Sequence, residues 1–163
     1  MFKISLLKSF KRIFWFNEFA YWSSSRIAGI EQITSGIFRE TEIKCLPQGI
    51  TNSWIASIEF SKNFNKVLII KIQDYRWVLV EYRTSTRLDE KSPRKANGVI
   101  AYEVDMQPEL GNGQIKLISS NRRSSNPFYG SILKTGDQFD YQGILIEILK
   151  LVDGMAQIWV HLN

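Results

Sequence analysis

The pattern of hydrophobic and polar positions divides the chain into a short helical part and a longer part with the period of β-strands. From residue 1 to residue 28 there is no Gly or Pro, and large apolar residues recur at the three-to-four spacing of one helical face. We therefore predict an N-terminal basic amphipathic helix over residues 1–28 and a single β domain over residues 29–163. The apolar face of the predicted helix consists of Phe2, Leu6, Phe10, Ile13 and Phe14.

Beyond residue 40 the period changes to the two-residue alternation of a half-buried strand. Trp54 and Ala56 alternate with Ile55, so one set is expected to face the interior and the other to be more exposed. Asp153-Gly154, a dipeptide favoured in tight hairpins, is expected to join the last two strands. The predicted fold is mostly β, an antiparallel β-sandwich or open barrel preceded by the helix. Strands are predicted at residues 41–46, 54–60, 66–72, 76–82, 98–105, 114–119, 143–151 and 155–162, where Val, Ile, Tyr and Trp are concentrated.

The net charge of +5 is concentrated near the N-terminus. Residues 1–26 hold five basic side chains and one acidic side chain, or +4, and the other 137 residues hold 16 basic and 15 acidic side chains, or +1. Because the β domain is nearly neutral, the charge argues against a nucleic-acid partner. Residues 2–19 have the composition of a helix that lies on a membrane surface, so peripheral membrane contact stays open beside docking of the helix on the β domain.

The residue set needed for common catalytic or metal sites is missing. Cys45 is the only cysteine and His161 the only histidine, so neither an internal disulfide nor a Cys/His zinc cluster can form. Nucleophilic catalysis needs a Ser or Cys beside a base, and the single imidazole lies at the C-terminal end. We therefore predict no catalytic residue, no cofactor and no metal. Cys45 is expected to be a small core residue, and His161 to be partly exposed on one strand face with Trp159.

Two polar segments, residues 84–97 and 120–130, are the candidate binding loops, because binding residues are often found on such loops. The alternative is that both are solvated surface loops. Glu81 and Arg83 are two residues apart and so share one side of a strand, where a structural ion pair or a hydrogen bond to a loop is expected. The candidate binding residues are Asp89, Arg94, Lys95, Arg122 and Arg123.

Several short motifs resemble secreted metallopeptidases of the immune inhibitor A (M6) family. The segment VLVEYR at residues 78–83, the loop with Asp89 and the segment GVIAYEVD at 98–105 are similar to the β domain that follows the zinc catalytic domain of that family. The segment LKTGDQF at 133–139 and the strands after it are similar to the C-terminal end of the same domain. The resemblance covers about residues 76–162. It implies an exported protein, although basic residues interrupt the apolar stretch that a standard signal peptide requires.

The chain departs from that family in the residues that carry its chemistry. The peptidases use a His-Glu-x-x-His helix, in which two imidazoles hold zinc and the Glu acts as general base. A chain with one histidine cannot supply that pair. The sequence therefore predicts a non-catalytic accessory or interaction module that binds a protein or glycan surface. The alternative is a membrane-surface or assembly subunit that acts through its N-terminal helix.

Overall fold

The computed structural model describes residues 40–59, 63–84, 97–105, 107, 115–118 and 130–162. This part of the chain is mostly β, as predicted, and its strands form two sheets. The predicted helix over residues 1–28 lies outside the described residues, as do the five candidate binding residues of the loops. The strands are β1 Ile43–Cys45, β2 Gly49–Ala56, β3 Val67–Gln73, β4 Arg76–Arg83, β5 Gly98–Asp105, β6 Ile115–Ile118, β7 Ile132–Leu133, β8 Gln138–Tyr141, β9 Ile144–Val152 and β10 Met155–Leu162.

The first sheet has the strand order β1-β3-β4-β5-β6, with β7 also paired to β5, and the second has the order β2-β10-β9-β8. The pairing of β1 with β3 is parallel, so this edge departs from the antiparallel pairing that was predicted for the fold. The reason is that β2 leaves for the second sheet before the chain returns as β3. Lys66 holds the starts of β1 and β3 together, because its amide donates to the carbonyl of Glu42 and its Nζ lies 3.2 Å from Glu42 Oε1.

One hydrophobic core is shared by the two sheets. Alternate residues of β3, β4 and β5 meet alternate residues of β9 and β10. Burial of these branched side chains supplies the main driving force that holds the sheets together, at about 1.5–3 kcal/mol for each large apolar side chain removed from water. Among the core residues are Leu68, Ile70, Val78, Val80, Ala101, Ile146, Ile148, Ile158 and Val160.

The first sheet is also apolar on the face turned away from this core. Its members are fully or almost fully buried and form a second cluster. Strands β4 and β5 are therefore covered on both sides, which explains why their sequences are nearly continuous apolar runs and do not alternate between apolar and polar residues. We call this second cluster the outer face of the first sheet; it comprises Ile43, Ile58, Val67, Ile69, Trp77, Leu79, Ile100, Tyr102 and Val104.

The alternation predicted around Trp54 is wrong. Trp54 is exposed, whereas Ile55, Ala56 and Ser57 are buried one after another. The strand begins earlier and ends at Ala56, where the chain crosses between the sheets and Ser57 forms a parallel bridge with Tyr82. At the crossing both sides of the chain are covered, so the two-residue period is lost.

Two other predictions concern residues at the ends of strands. Cys45, expected in the core, is exposed because it ends a three-residue strand at the edge of the first sheet. The turn at Asp153-Gly154 is confirmed, with φ angles of 49° and 75° that suit a tight hairpin. A second turn of the same kind, Gln142-Gly143, joins β8 to β9 with φ angles of 53° and 79°.

Candidate functional site

The side of the second sheet turned away from the core forms an open, mixed surface. Strands β2 and β10 pair over eight residues, and the inward positions of β10 are Ala156, Ile158 and Val160. The residues between them therefore point outwards, as do their register partners on β2 and β9. We call this surface the outer face of the second sheet; its members are Ile50, Asn52 and Trp54 of β2, Gln157, Trp159 and His161 of β10, Leu145 and Glu147 of β9, and Gln138 and Asp140 of β8.

Aromatic rings cross this face. Trp54 pairs with Gln157 and Trp159 pairs with Asn52, so the two tryptophans are diagonal neighbours, within reach of each other for side chains of this size. The Trp159 and His161 ring centroids are 5.9 Å apart and tilted by 54°. Trp54 remains 41% exposed, which is a large fraction for an indole side chain. The arrangement presents ring surface to solvent beside a half-buried imidazole.

Hydrogen-bonding groups lie between and beside the rings. Gln157 Nε2 donates to Asn52 Oδ1 over 3.2 Å, which fixes both amides on the face. Each amide has two N–H donors and an oxygen with two lone pairs, so this one bond leaves donor and acceptor capacity at both side chains. Glu147 pairs with Trp159 on the other side and adds a carboxylate acceptor. The face therefore offers flat apolar surface together with oriented polar groups.

A second polar cluster joins the two sheets at one end of the shared core. Arg76 of β4 donates from Nε and Nη2 to Glu103 Oε1, over 3.1 and 2.7 Å. Tyr141 of β8 donates its phenolic hydrogen to Glu103 Oε2, and Gln142 Nε2 donates to the same oxygen over 3.4 Å. Asp105 Oδ2 lies 3.7 Å from Arg76 Nε. Both oxygens of Glu103 are thus used in contacts within the protein.

These contacts shift the ionisation of the cluster. Burial acts most strongly on Glu103 and opposes its ionisation, but the hydrogen bonds from Tyr141 and Arg76, with the charge of Arg76, together lower its pKa. The hydrogen bond to Glu103 raises the pKa of Arg76. Burial, followed by the hydrogen bond to Glu103, raises the pKa of Tyr141. The cluster is a fixed ion pair with a neutral phenol, an arrangement that suits a structural link between sheets.

Glu81 and Arg83 share one face of β4, as the sequence predicts. Glu81 is 1% exposed, and Tyr102 on the neighbouring strand donates its hydroxyl hydrogen to Glu81 Oε2 over 3.2 Å. Gly98 begins β5 and pairs with Arg83, two positions from Glu81. The hydrogen bond from Tyr102 is a contact that the sequence did not indicate.

Within the described ranges, no group of three or more His, Cys, Asp or Glu side chains is placed to hold a metal ion. No helix in the same residues has the length and apolarity needed to span a membrane. Comparison of the chain with protein-family models, curated proteins and solved structures gave no significant match. The site is therefore interpreted from its own geometry.

The candidate binding residues predicted from the sequence lie on loops, and the outer face of the second sheet was not among the predicted sites. His161 is half-buried beside Trp159, as expected for that strand. The available signal was the polar and aromatic set at alternate positions of β10, matched by a similar set on β2. The pairing of β2 with β10 could not be predicted from the sequence, because about 100 residues separate the two strands.

Proposed function

We propose that this protein is a non-catalytic β-sandwich module that binds a saccharide on the outer face of its second sheet. The observation that carries the proposal is the exposure of Trp54 beside the hydrogen-bonded amides of Asn52 and Gln157. An exposed indole on a rigid sheet offers a binding surface that loses little conformational entropy when a ligand covers it.

The chemistry of a sugar ring matches this surface. One side of a pyranose ring presents C–H groups that pack on an aromatic ring, and its edge presents hydroxyl groups that both donate and accept hydrogen bonds. Asn52 and Gln157 also donate and accept, while the Glu147 carboxylate accepts. The indoles of Trp54 and Trp159 supply the flat surfaces on which sugar rings stack.

The size of the face suits a short oligosaccharide. Strands β2, β9 and β10 contribute eight or nine residues each and β8 contributes four, which at about 3.3 Å per residue and about 4.8 Å between strands gives a projected area of roughly 450 Å². An oligosaccharide chain of a few rings fits this area.

The resemblance to the β domain of M6 peptidases supports the accessory part of the proposal. By that resemblance the chain is an accessory module of an exported, peptidase-like protein and binds a surface without catalytic groups of its own. The features that favour this assignment are the motif VLVEYR within β4, the motif GVIAYEVD that forms β5, and the single histidine of the chain.

Affinity electrophoresis through gels that contain one soluble polysaccharide each tests the proposal. A panel of β-glucan, xylan, mannan, pectin and glycol chitin covers neutral, acidic and amino-sugar polymers. We expect retardation of the intact chain by at least one polymer, and loss of that retardation in Trp54→Ala and Trp159→Ala.

Tyr75→Asn is the matched control. Tyr75 is an exposed aromatic residue at the turn between β3 and β4 of the first sheet, and its φ of 66° is one that Asn tolerates well. This variant should be retarded like the unaltered chain. Migration unaffected by every polymer, or retardation that survives both tryptophan substitutions, would exclude the proposed face as a saccharide site.

A further inference from the structure

Strand β2 is the one long edge strand in the described part of the chain. It pairs with β10 on one side, and no other strand of that part pairs with its second side. The remaining edge strands β1, β6, β7 and β8 have two to four residues each, and three of them carry a charged residue, Lys44, Lys116 or Asp140. Short length and charge protect a sheet edge, because its unpaired N–H and C=O groups can otherwise pair with another chain. Strand β2 has eight residues, with no charged side chain and no proline, so its edge lacks this protection.

Two hydrogen bonds at the end of β2 show which of its backbone groups face the free edge. The amide of Ser57 donates to the carbonyl of Gly154, next to β10, and the amide of Ala56 donates to the carbonyl of Asn65, outside the second sheet. Successive residues of a strand turn their N–H and C=O groups to opposite sides, so the odd-numbered residues of β2 face β10 and the even-numbered residues face the free edge. The even-numbered residues that precede Ala56 are Ile50, Asn52 and Trp54.

The outward side chains of this stretch are complementary to a second copy of the same strand. Asn52 lies midway between Ile50 and Trp54, which are 67% and 41% exposed. Antiparallel pairing centred on Asn52 places it opposite Asn52 of the partner subunit and places each Ile50 opposite a Trp54. These pairs are of the kind that exchanges backbone hydrogen bonds in both directions. Pairing of an aromatic with a β-branched side chain on neighbouring strands is also favourable.

The charge of this stretch is compatible with self-association. Residues 50–54 contain no charged side chain, so two copies meet without like charges opposite each other in the outward row. Lys44 lies close to the strand, but its Nζ donates to Ser53 Oγ over 2.9 Å, and the 3% exposure of Ser53 places this contact on the inward side. Because one strand of each copy takes part, the interface is small and the association should be reversible on dilution.

We propose that two copies of this chain associate through β2 as a symmetric dimer, in which their second sheets join into one antiparallel sheet of eight strands, four from each copy. Asn52 lies on the two-fold axis. Because the same strand is used by both copies, the contact is closed and association stops at the dimer. The association does not depend on whether the outer face of the second sheet binds a saccharide.

Sedimentation equilibrium of the full chain over a range of concentrations measures this association. The unaltered chain should be a dimer at high concentration and a monomer after dilution. Asn52→Lys places two positive charges opposite each other at the axis and should raise the dissociation constant by about tenfold or more. Gln138→Lys is the matched control, because it makes the same change at an exposed position of β8, the other edge strand of the second sheet, and should leave the association unchanged.

A charge exchange at the same position tests the register. Asn52→Asp should weaken the dimer by the same repulsion, whereas an equimolar mixture of Asn52→Asp and Asn52→Lys should form dimers, since opposite charges then meet at the axis. Asn52 is exposed, so both variants should keep a melting temperature close to that of the unaltered chain. An unaltered chain that stays monomeric at every concentration would overturn the proposal. A dimer that persists in Asn52→Lys, a dimer lost in Gln138→Lys, or a mixture that stays monomeric would overturn it as well.

Discussion

Tyr141 on β8 donates a hydrogen bond to Glu103 on β5, and this bond connects the two sheets at one end of their shared core. The other oxygen of Glu103 receives two hydrogen bonds from Arg76. A largely buried carboxylate with charged and neutral donors on both oxygens is stable only while all of its partners are present.

Glu103→Gln should lower the free energy of unfolding by about 1.5–3 kcal/mol, because it removes the negative charge that accepts the hydrogen bonds of Arg76 and Tyr141. Tyr141→Phe should lower the free energy of unfolding by about 1 kcal/mol. The variant with both substitutions should lose less than the sum of the two single losses. Urea unfolding of the four proteins measures this coupling. Additive effects of the two substitutions would show that the bond between the sheets contributes no energy of its own.

The ionisation of Glu103 should also make the free energy of unfolding fall in acid. The pKa of Glu103 in the folded protein is lowered from its ordinary value of 4.5, so its ionised form stabilises the fold above that pH. This contribution declines as the pH falls below 4.5 through the folded pKa. The stability difference between the unaltered chain and Glu103→Gln should therefore narrow between neutral pH and about pH 3. A difference that stays constant over this range would contradict the ionised assignment.

The local parts of this fold could be predicted from the sequence, and the long-range parts could not. The turn at Asp153-Gly154 is encoded by a dipeptide with a strong conformational preference. The turn at Gln142-Gly143 has the same geometry without that preference at its first residue, so it was not predicted. Trp54 was misplaced because the chain changes sheets three residues later, which disrupts the alternation on which the prediction depended.

The candidate site depends even more on contacts distant in sequence. Glu103 meets Arg76 and Tyr141 across separations of 27 and 38 residues, and Asn52 meets Gln157 across 105. Periodicity shows which side of a strand a residue occupies but does not show which strand lies beside it. The outer face of the second sheet is assembled only by that pairing.

Gly98 should not tolerate a side chain. A Cβ atom at this position would lie 2.5 Å from Cγ2 of Ile132 and 2.6 Å from the carbonyl oxygen of Leu133. Because the second contact is with backbone, Gly98→Ala should separate β5 from β7 and cost about 1–3 kcal/mol. Thermal unfolding checks this, with the exposed Thr135→Ala as the control. Equal melting temperatures for the two variants would show that β7 yields without cost.

Replacement of Glu81 should separate stability from binding. Glu81→Ala removes the hydrogen bond from the buried Tyr102 hydroxyl and leaves a void, so we expect a loss of about 1–3 kcal/mol in the free energy of unfolding. Retardation by the polysaccharide that binds the unaltered chain should persist, because Glu81 belongs to the other sheet. If Glu81→Ala kept the stability of the unaltered chain but lost the retardation, the ligand would bind at Glu81 and not on the outer face of the second sheet.

The most direct test of the saccharide-binding face is an NMR titration of the full chain with an oligosaccharide from the polymer that retards it. The chain has five tryptophans, Trp15, Trp22, Trp54, Trp77 and Trp159, and single Trp-to-Phe variants assign each indole N–H signal. The account predicts that the signals of Trp54 and Trp159 shift with the amide signals of Asn52 and Gln157, while the indole of buried Trp77 does not. Shifts confined to residues 84–97 and 120–130, with those two indoles unmoved, would contradict the account and place binding on the loops.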